Sequence, residues 1–106
     1  PNRSSRSLPL IREGLSVKIE RDIEVINRLG LHARACANLV KAAGEFSSTI
    51  ALKHDGRSAD AKSIMGLMML AATQGTHLTL MVEGEDSEQA VIRIMQLFSN
   101  RFGEEE

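Results

Sequence analysis

The chain has 106 residues, 42% of them hydrophobic, and 13 basic against 14 acidic side chains give a formal net charge of -1. That length supports one domain with its own core rather than two, and the near-neutral charge argues against a nucleic-acid or anionic-membrane partner. Aromatic content of 3%, all Phe, leaves few of the stacking platforms that single-strand binders use, and the single Cys36 excludes an intrachain disulfide or a multi-cysteine zinc site.

Residues 1–15, "PNRSSRSLPLIREGL", carry Ser, Arg, Asn and Pro without any period. They are expected to form a flexible N-terminal arm, and they lack the apolar core of a secretory signal. A folded domain is expected over residues 16–103. Its first strand begins near Ser16, where Val17, Ile19, Ile23 and Val25 share one parity and Lys18, Glu20, Asp22 and Glu24 the other. Arg21 falls on the apolar parity, so a bulge or break is expected there. Ala33–Ala43 reads as a helix with Cys36, Leu39, Val40 and Ala43 at helical spacing and Gly44 as its stop.

Two strands follow, carrying Ile50 and Leu52 outward and Ala59 and Ala61 on the return. Asp55-Gly56 between them is a type I′ hairpin signal, because that turn needs positive φ at both positions. Ser63 is the expected N-cap of a short, strongly apolar helix. Leu78, Leu80 and Val82 alternate with polar neighbours in a fourth strand that Gly84 ends. Asp86, with Gln89 three residues on, suggests a capping box for a last helix whose stripe is Ala90, Val91, Ile94, Leu97 and Phe98. Residues 104–106 read as a solvated acidic tail. The order β-α-β-β-α-β-α, with strands polar on one face, implies an α+β open-faced sandwich: a four-stranded antiparallel or mixed sheet covered on one side by three helices.

The segment "RLGLHARACANL", Arg28–Leu39, holds the chemistry. His32 stands where a helix begins, and the first N–H groups of a helix have no internal partner and carry its positive end. Such a terminus takes up phosphate readily. Arg34 adds a guanidinium fork that fits phosphate oxygens, and Gly30 permits a sharp turn before the ring. A neutral imidazole nitrogen in these positive surroundings can attack phosphorus and hold the phosphoryl group covalently. A helix cap or surface histidine is the competing reading. No acid to orient the ring is apparent nearby in the sequence. Cys36, one helical turn on, is either a partner for His32 or a small core thiol. His54 and His77 lie on separate strands without metal-ligand spacing to His32, so neither a metal nor a cofactor is expected.

"GLHARACA", Gly30–Ala37, resembles the active-site signature of the HPr-type phosphocarriers of the bacterial phosphotransferase system. "KSIMGLMML", Lys62–Leu70, is similar to the same family's regulatory segment, and the resemblance spans about residues 17–102 with the same element order. It implies a four-stranded antiparallel sheet with three helices on one face. It also implies that His32 is phosphorylated on Nδ1 and that Arg34 helps hold the phosphate, and Ser63 matches the serine that a dedicated serine kinase/phosphorylase modifies in some relatives. Phospho-enzyme I, charged by phosphoenolpyruvate, would be the donor and an enzyme IIA domain the acceptor. Leu31, Ile64, Met65 and Met68 would touch these partners, with Leu67 and Leu70 in the core. Such a chain is a stoichiometric carrier rather than an enzyme with its own turnover, monomeric and cytoplasmic. A regulatory binding domain of the same fold, acting without phosphotransfer, is the alternative. Ala35 stands where the family usually has proline, and Cys36 where alanine is common. "NRLG" is closer to the nitrogen-related branch than to the sugar-transport branch.

Overall fold

The computed structural model describes residues 17–105; the arm at 1–15, Ser16 and Glu106 lie outside the described residues. In chain order the elements are β1 (Val17–Glu24), α1 (Ala33–Ala43), β2 (Thr49–His54), β3 (Arg57–Asp60), α2 (Ile64–Met69), β4 (His77–Gly84) and α3 (Ser87–Ser99), then a single turn at Arg101–Gly103. The sheet order is β1-β4-β2-β3, and all three pairings are antiparallel. The fold is the open-faced α+β sandwich.

Register explains the core. Ile23 faces Leu78, Ile50 faces Val82, and Leu52 lies between Leu80 and Ala59. One parity is therefore buried under the helices, while Lys18, Glu20, Asp22, Glu24 and Lys53 face solvent. From above, α1 contributes Ala35, Cys36, Leu39, Ala42 and Ala43, and α3 contributes Ala90, Val91, Ile94, Leu97 and Phe98. α3 packs on β1 and β4, α2 on β3, and α1 touches both other helices. Each fully buried leucine, such as Leu39, Leu52 or Leu80, contributes about 2 kcal/mol relative to exposure. The hairpin turn has φ of 52° at Asp55 and 81° at Gly56, the left-handed pair that the sequence signal requires.

Three local expectations differ. β1 pairs with β4 without interruption from Val17 to Glu24, so Arg21 causes no bulge. β1 is an edge strand, and the long Arg21 side chain escapes into solvent and donates to the Glu20 carbonyl at 2.8 Å. Gly44 ends α1 in ordinary right-handed backbone, with φ of -68°, rather than as a left-handed stop. Asp86 occupies the N-cap position of α3 but makes no side-chain cap bond. Its carboxylate instead accepts from the backbone N–H groups of Ser47 (2.9 Å) and Ser48 (3.0 Å) and from the Ser48 hydroxyl. The Ser48 hydroxyl and then the Ser47 N–H hold the Asp86 carboxyl down to about 2. Asp86 thus fastens the lead into β2 to the start of α3.

Candidate functional site

The site is built on the loop between β1 and α1. Asn27 is fully buried; its Nδ2 donates to the Gly30 carbonyl at 2.8 Å, and Gly30 N–H donates back to the Asn27 carbonyl at 3.2 Å. Gly30 has φ of 69°, and a Cβ there would sit 2.5 Å from the Ala72 carbonyl oxygen. That close approach lets Leu31 N–H donate to the same oxygen at 2.9 Å. His32 follows as the N-cap of α1 in extended backbone, φ -79° and ψ 177°, without a side-chain cap bond. Its carbonyl accepts the first helical bond, from Cys36 N–H at 2.9 Å. The N–H groups of Ala33, Arg34 and Ala35 therefore form the free positive end of α1, directly after the ring.

The second half of the site comes from the C-terminal end. The turn at Arg101–Gly103 returns the chain toward α1, with φ of 55°, 55° and 82°. Phe102 is buried against Phe98, ring centroids 4.8 Å apart, and its carbonyl accepts from Asn38 Nδ2 at 3.3 Å. Glu104 then reaches the loop. One carboxylate oxygen accepts from Asn27 Nδ2 at 3.0 Å, and the other meets His32 Nε2. Burial pushes the Glu104 carboxyl up, but the hydrogen bonds from Asn27 and His32 and the charges of His32 and Arg34 outweigh it and leave the carboxyl lowered. Glu104 is thus ionised near neutral pH. An ionised carboxylate only accepts, so Nε2 carries a proton, and in the neutral ring the lone pair is on Nδ1. The Asn27 amide orientation follows likewise: both neighbours, the Gly30 carbonyl and the Glu104 carboxylate, are acceptors, so Nδ2 faces them.

His32, with 27% of its side chain exposed, lies in a shallow cleft lined also by Arg28, Leu29, Arg34, Phe102 and Glu104. His32 and Arg34 are thus brought together. Sequence reasoning missed Glu104, which lies 72 residues from His32, and treated residues 104–106 as solvated. The surroundings of the ring are of mixed charge, not wholly positive. The one sequence hint was a carboxylate soon after an apolar residue, Phe102, able to anchor it.

Ser63 caps α2, its hydroxyl accepting from Gly66 N–H at 3.1 Å. It does not line the His32 cleft. In α2 and its C-cap, Leu67 and Leu70 are buried as expected, while Ile64, Met65, Met68 and Met69 are exposed. Leu31 does not join that surface. It is 5% exposed and packs in the core; Leu29, 68% exposed, is the exposed apolar side chain lining the cleft. Cys36 is a core thiol with no exposed surface, its Sγ bonded to the Leu31 carbonyl at 3.4 Å and its pKa raised by burial. His77 pairs with Asp22 at 3.1 Å on the open sheet face, where His54 approaches the His77 carbonyl at 3.3 Å. Among the described residues no cluster of three or more His, Cys, Asp or Glu side chains could hold a metal ion. No helix of the described residues is long and apolar enough to cross a membrane.

An open-faced sandwich that presents a partly exposed histidine at a helix N-terminus, with an arginine beside it, suits the class of small phosphocarriers. Comparison with known proteins agrees. The family model for the PTS HPr component phosphorylation site matches residues 19–100. The chain is 50% identical over 88 residues to the phosphocarrier protein HPr of Cupriavidus necator, covering 83% of this chain and 99% of that protein. It is 47% identical over 87 residues to the HPr of Xylella fastidiosa, covering 82% and 98%. A solved HPr structure from Thermoanaerobacter tengcongensis superposes with a TM-score of 0.80 at 43% identity, covering 83% of this chain and 99% of that one. The chain belongs to the HPr family of phosphocarriers of the bacterial phosphotransferase system.

Proposed function

We propose that His32 takes a phosphoryl group on Nδ1 from phospho-enzyme I and passes it to an enzyme IIA-type acceptor. The observation that carries this reading is the contact between His32 Nε2 and the Glu104 carboxylate. With Nε2 as the donor to Glu104, the lone pair of the neutral ring falls on Nδ1, in a cleft that Arg34 shares. In the transfer the Nδ1 lone pair forms the N–P bond as the P–N bond of the donor phosphohistidine breaks, and that electron pair leaves on the donor nitrogen. Arg34 and the free N–H groups of α1 offset the phosphoryl charge. The second transfer runs the same step toward the acceptor. This is a stoichiometric relay in the cytoplasm, acting as a monomer, and it needs no metal or bound cofactor.

Ile64, Met65 and Met68 form the docking surface in this reading, since flexible methionine adapts to more than one partner. A serine kinase acts on Ser63, where the added charge sits at the N-terminus of α2 beside that surface and weakens docking rather than folding. Incubation with enzyme I and labelled phosphoenolpyruvate tests the main proposal. Acid-labile label is expected on the wild type and absent from His32→Ala; equal labelling of both would remove His32 from this role.

A further inference from the structure

The carboxylate on His32 is delivered by a conformation that needs explaining. Arg101 and Phe102 both have φ of 55°, a left-handed backbone that residues with a Cβ rarely adopt, and Gly103 continues it at 82°. An acidic tail serving only solubility would need no such turn and would leave Glu104 in water. Here Phe102 is anchored against Phe98, and both Glu104 oxygens are used, one on Asn27 and one on His32. The turn follows the C-cap of α3 at Asn100 and aims Glu104 at the loop between β1 and α1.

We infer that Glu104, held by the buried Asn27, is a positioning residue for phosphoryl transfer at His32. This inference rests on the phosphocarrier reading. In the neutral ring Glu104 fixes Nε2 as the protonated nitrogen, which leaves the lone pair on Nδ1 for phosphorus. When the N–P bond forms, the ring becomes a phosphorylated imidazolium that retains its Nε2 proton, and the carboxylate balances that positive charge. When the phosphoryl group leaves, the bonding pair returns to Nδ1 and a neutral imidazole remains. No proton crosses to Glu104 in either direction. The arrangement does for a phosphorus nucleophile what a buried carboxylate does for the histidine of a hydrolytic triad.

The test uses the full chain as wild type, Glu104→Gln and Glu104→Ala, with phosphorylated enzyme I as donor. Rapid quench gives the maximal acceptance rate and the half-saturating concentration; proton NMR gives the downfield Nε2–H signal of a hydrogen bond to carboxylate. Wild type should show that signal. Glu104→Gln should keep a neutral, weaker bond and accept about tenfold more slowly, with little change in half-saturation. Glu104→Ala should lose the signal and be slower still. Wild-type rates in Glu104→Ala, or a signal that survives in it, would overturn the inference. An unlabelled wild type that still shows the signal would instead overturn the phosphocarrier reading beneath it.

Discussion

Gly30→Ala isolates the contact that places His32. Two costs add. The backbone at Gly30 has φ of 69°, and an alanine in that left-handed region loses about 1 kcal/mol. The new Cβ would also lie 2.5 Å from the Ala72 oxygen and 3.0 Å from the Thr73 Cα, both backbone atoms that cannot rotate away. The loop must shift, which strains a packed region by about 1–3 kcal/mol and weakens the Leu31–Ala72 bond by about 1 kcal/mol. The sum is about 3–5 kcal/mol, a large share of the roughly 5–15 kcal/mol that holds a domain of this size together. Gly75→Ala is the matched control: φ there is 90°, but no atom lies within 4 Å of the added Cβ. It should cost about 1 kcal/mol, the backbone term alone. Urea unfolding of both variants reads the difference directly, and acceptance of phosphate by the folded fraction of Gly30→Ala should fall too, since His32 N–H is bonded to the Gly30 carbonyl. Equal stability losses in the two variants would show that close approach to Ala72 is not what fixes glycine at this position.

Asp86→Asn should lower the melting temperature at neutral pH but not at strongly acid pH. The folded carboxyl sits at about 2 against an ordinary 3.8, so between these values the unfolded chain binds more protons and stability rises with pH. The stabilisation is complete above about pH 4 and is lost as pH falls through about 2, where the wild-type and variant melting curves should meet; a constant gap would refute the assignment. Ser63→Ala should cost about 1 kcal/mol through loss of the cap on Gly66 N–H. Ser63→Asp should keep the melting temperature, because Asp also caps, yet bind enzyme I more weakly; unchanged affinity would count against regulation by charge. Met65→Lys, at a position 72% exposed, should leave stability within about 0.5 kcal/mol and weaken partner binding, whereas Leu31→Ala should cost about 2–5 kcal/mol in urea unfolding because Leu31 is core.

The fold was legible because local signals agreed with each other. The alternation in Leu78–Val82, the Asp55-Gly56 turn and the stripe of α3 each state a period or a φ sign that one strand, turn or helix satisfies. Local text failed where a side chain had two partners to choose from. Asp86 has the spacing of a capping box, but the Ser47 and Ser48 donors, 39 and 38 residues away, win its carboxylate. Arg21 breaks the alternation, but an edge strand lets it leave the core without a bulge. Leu31 sits beside the histidine in sequence and still packs in the core, in a loop whose backbone is bonded to Ala72, which no local pattern names. The site divides the same way. Gly30, His32 and Arg34 lie within five consecutive residues, so their chemistry could be read directly. Glu104 reaches His32 only through the packing of Phe102 on Phe98, and long-range packing leaves no spacing to read.

The mixed charge of the cleft bears on what a carrier must do. A group that only receives phosphate is best served by cations alone, and tighter binding is always better. A carrier has to give the phosphate up again, and each tenfold of excess stabilisation, about 1.4 kcal/mol, would be added to the barrier for leaving. On the proposed chemistry Arg34 and the free N–H groups of α1 favour the phosphorylated state through the phosphate. Glu104 favours it through the ring while repelling the phosphate oxygens, so its two effects oppose and its net influence on the equilibrium is smaller than on the rate. Removing the Arg34 cation should therefore shift the distribution of phosphate between donor and carrier more than removing the Glu104 charge does. Arg34→Ala and Glu104→Gln, compared at equilibrium with enzyme I, separate the two contributions. A larger equilibrium shift in Glu104→Gln would mean that the carboxylate acts mainly on the ring charge and not as a balance against the cations.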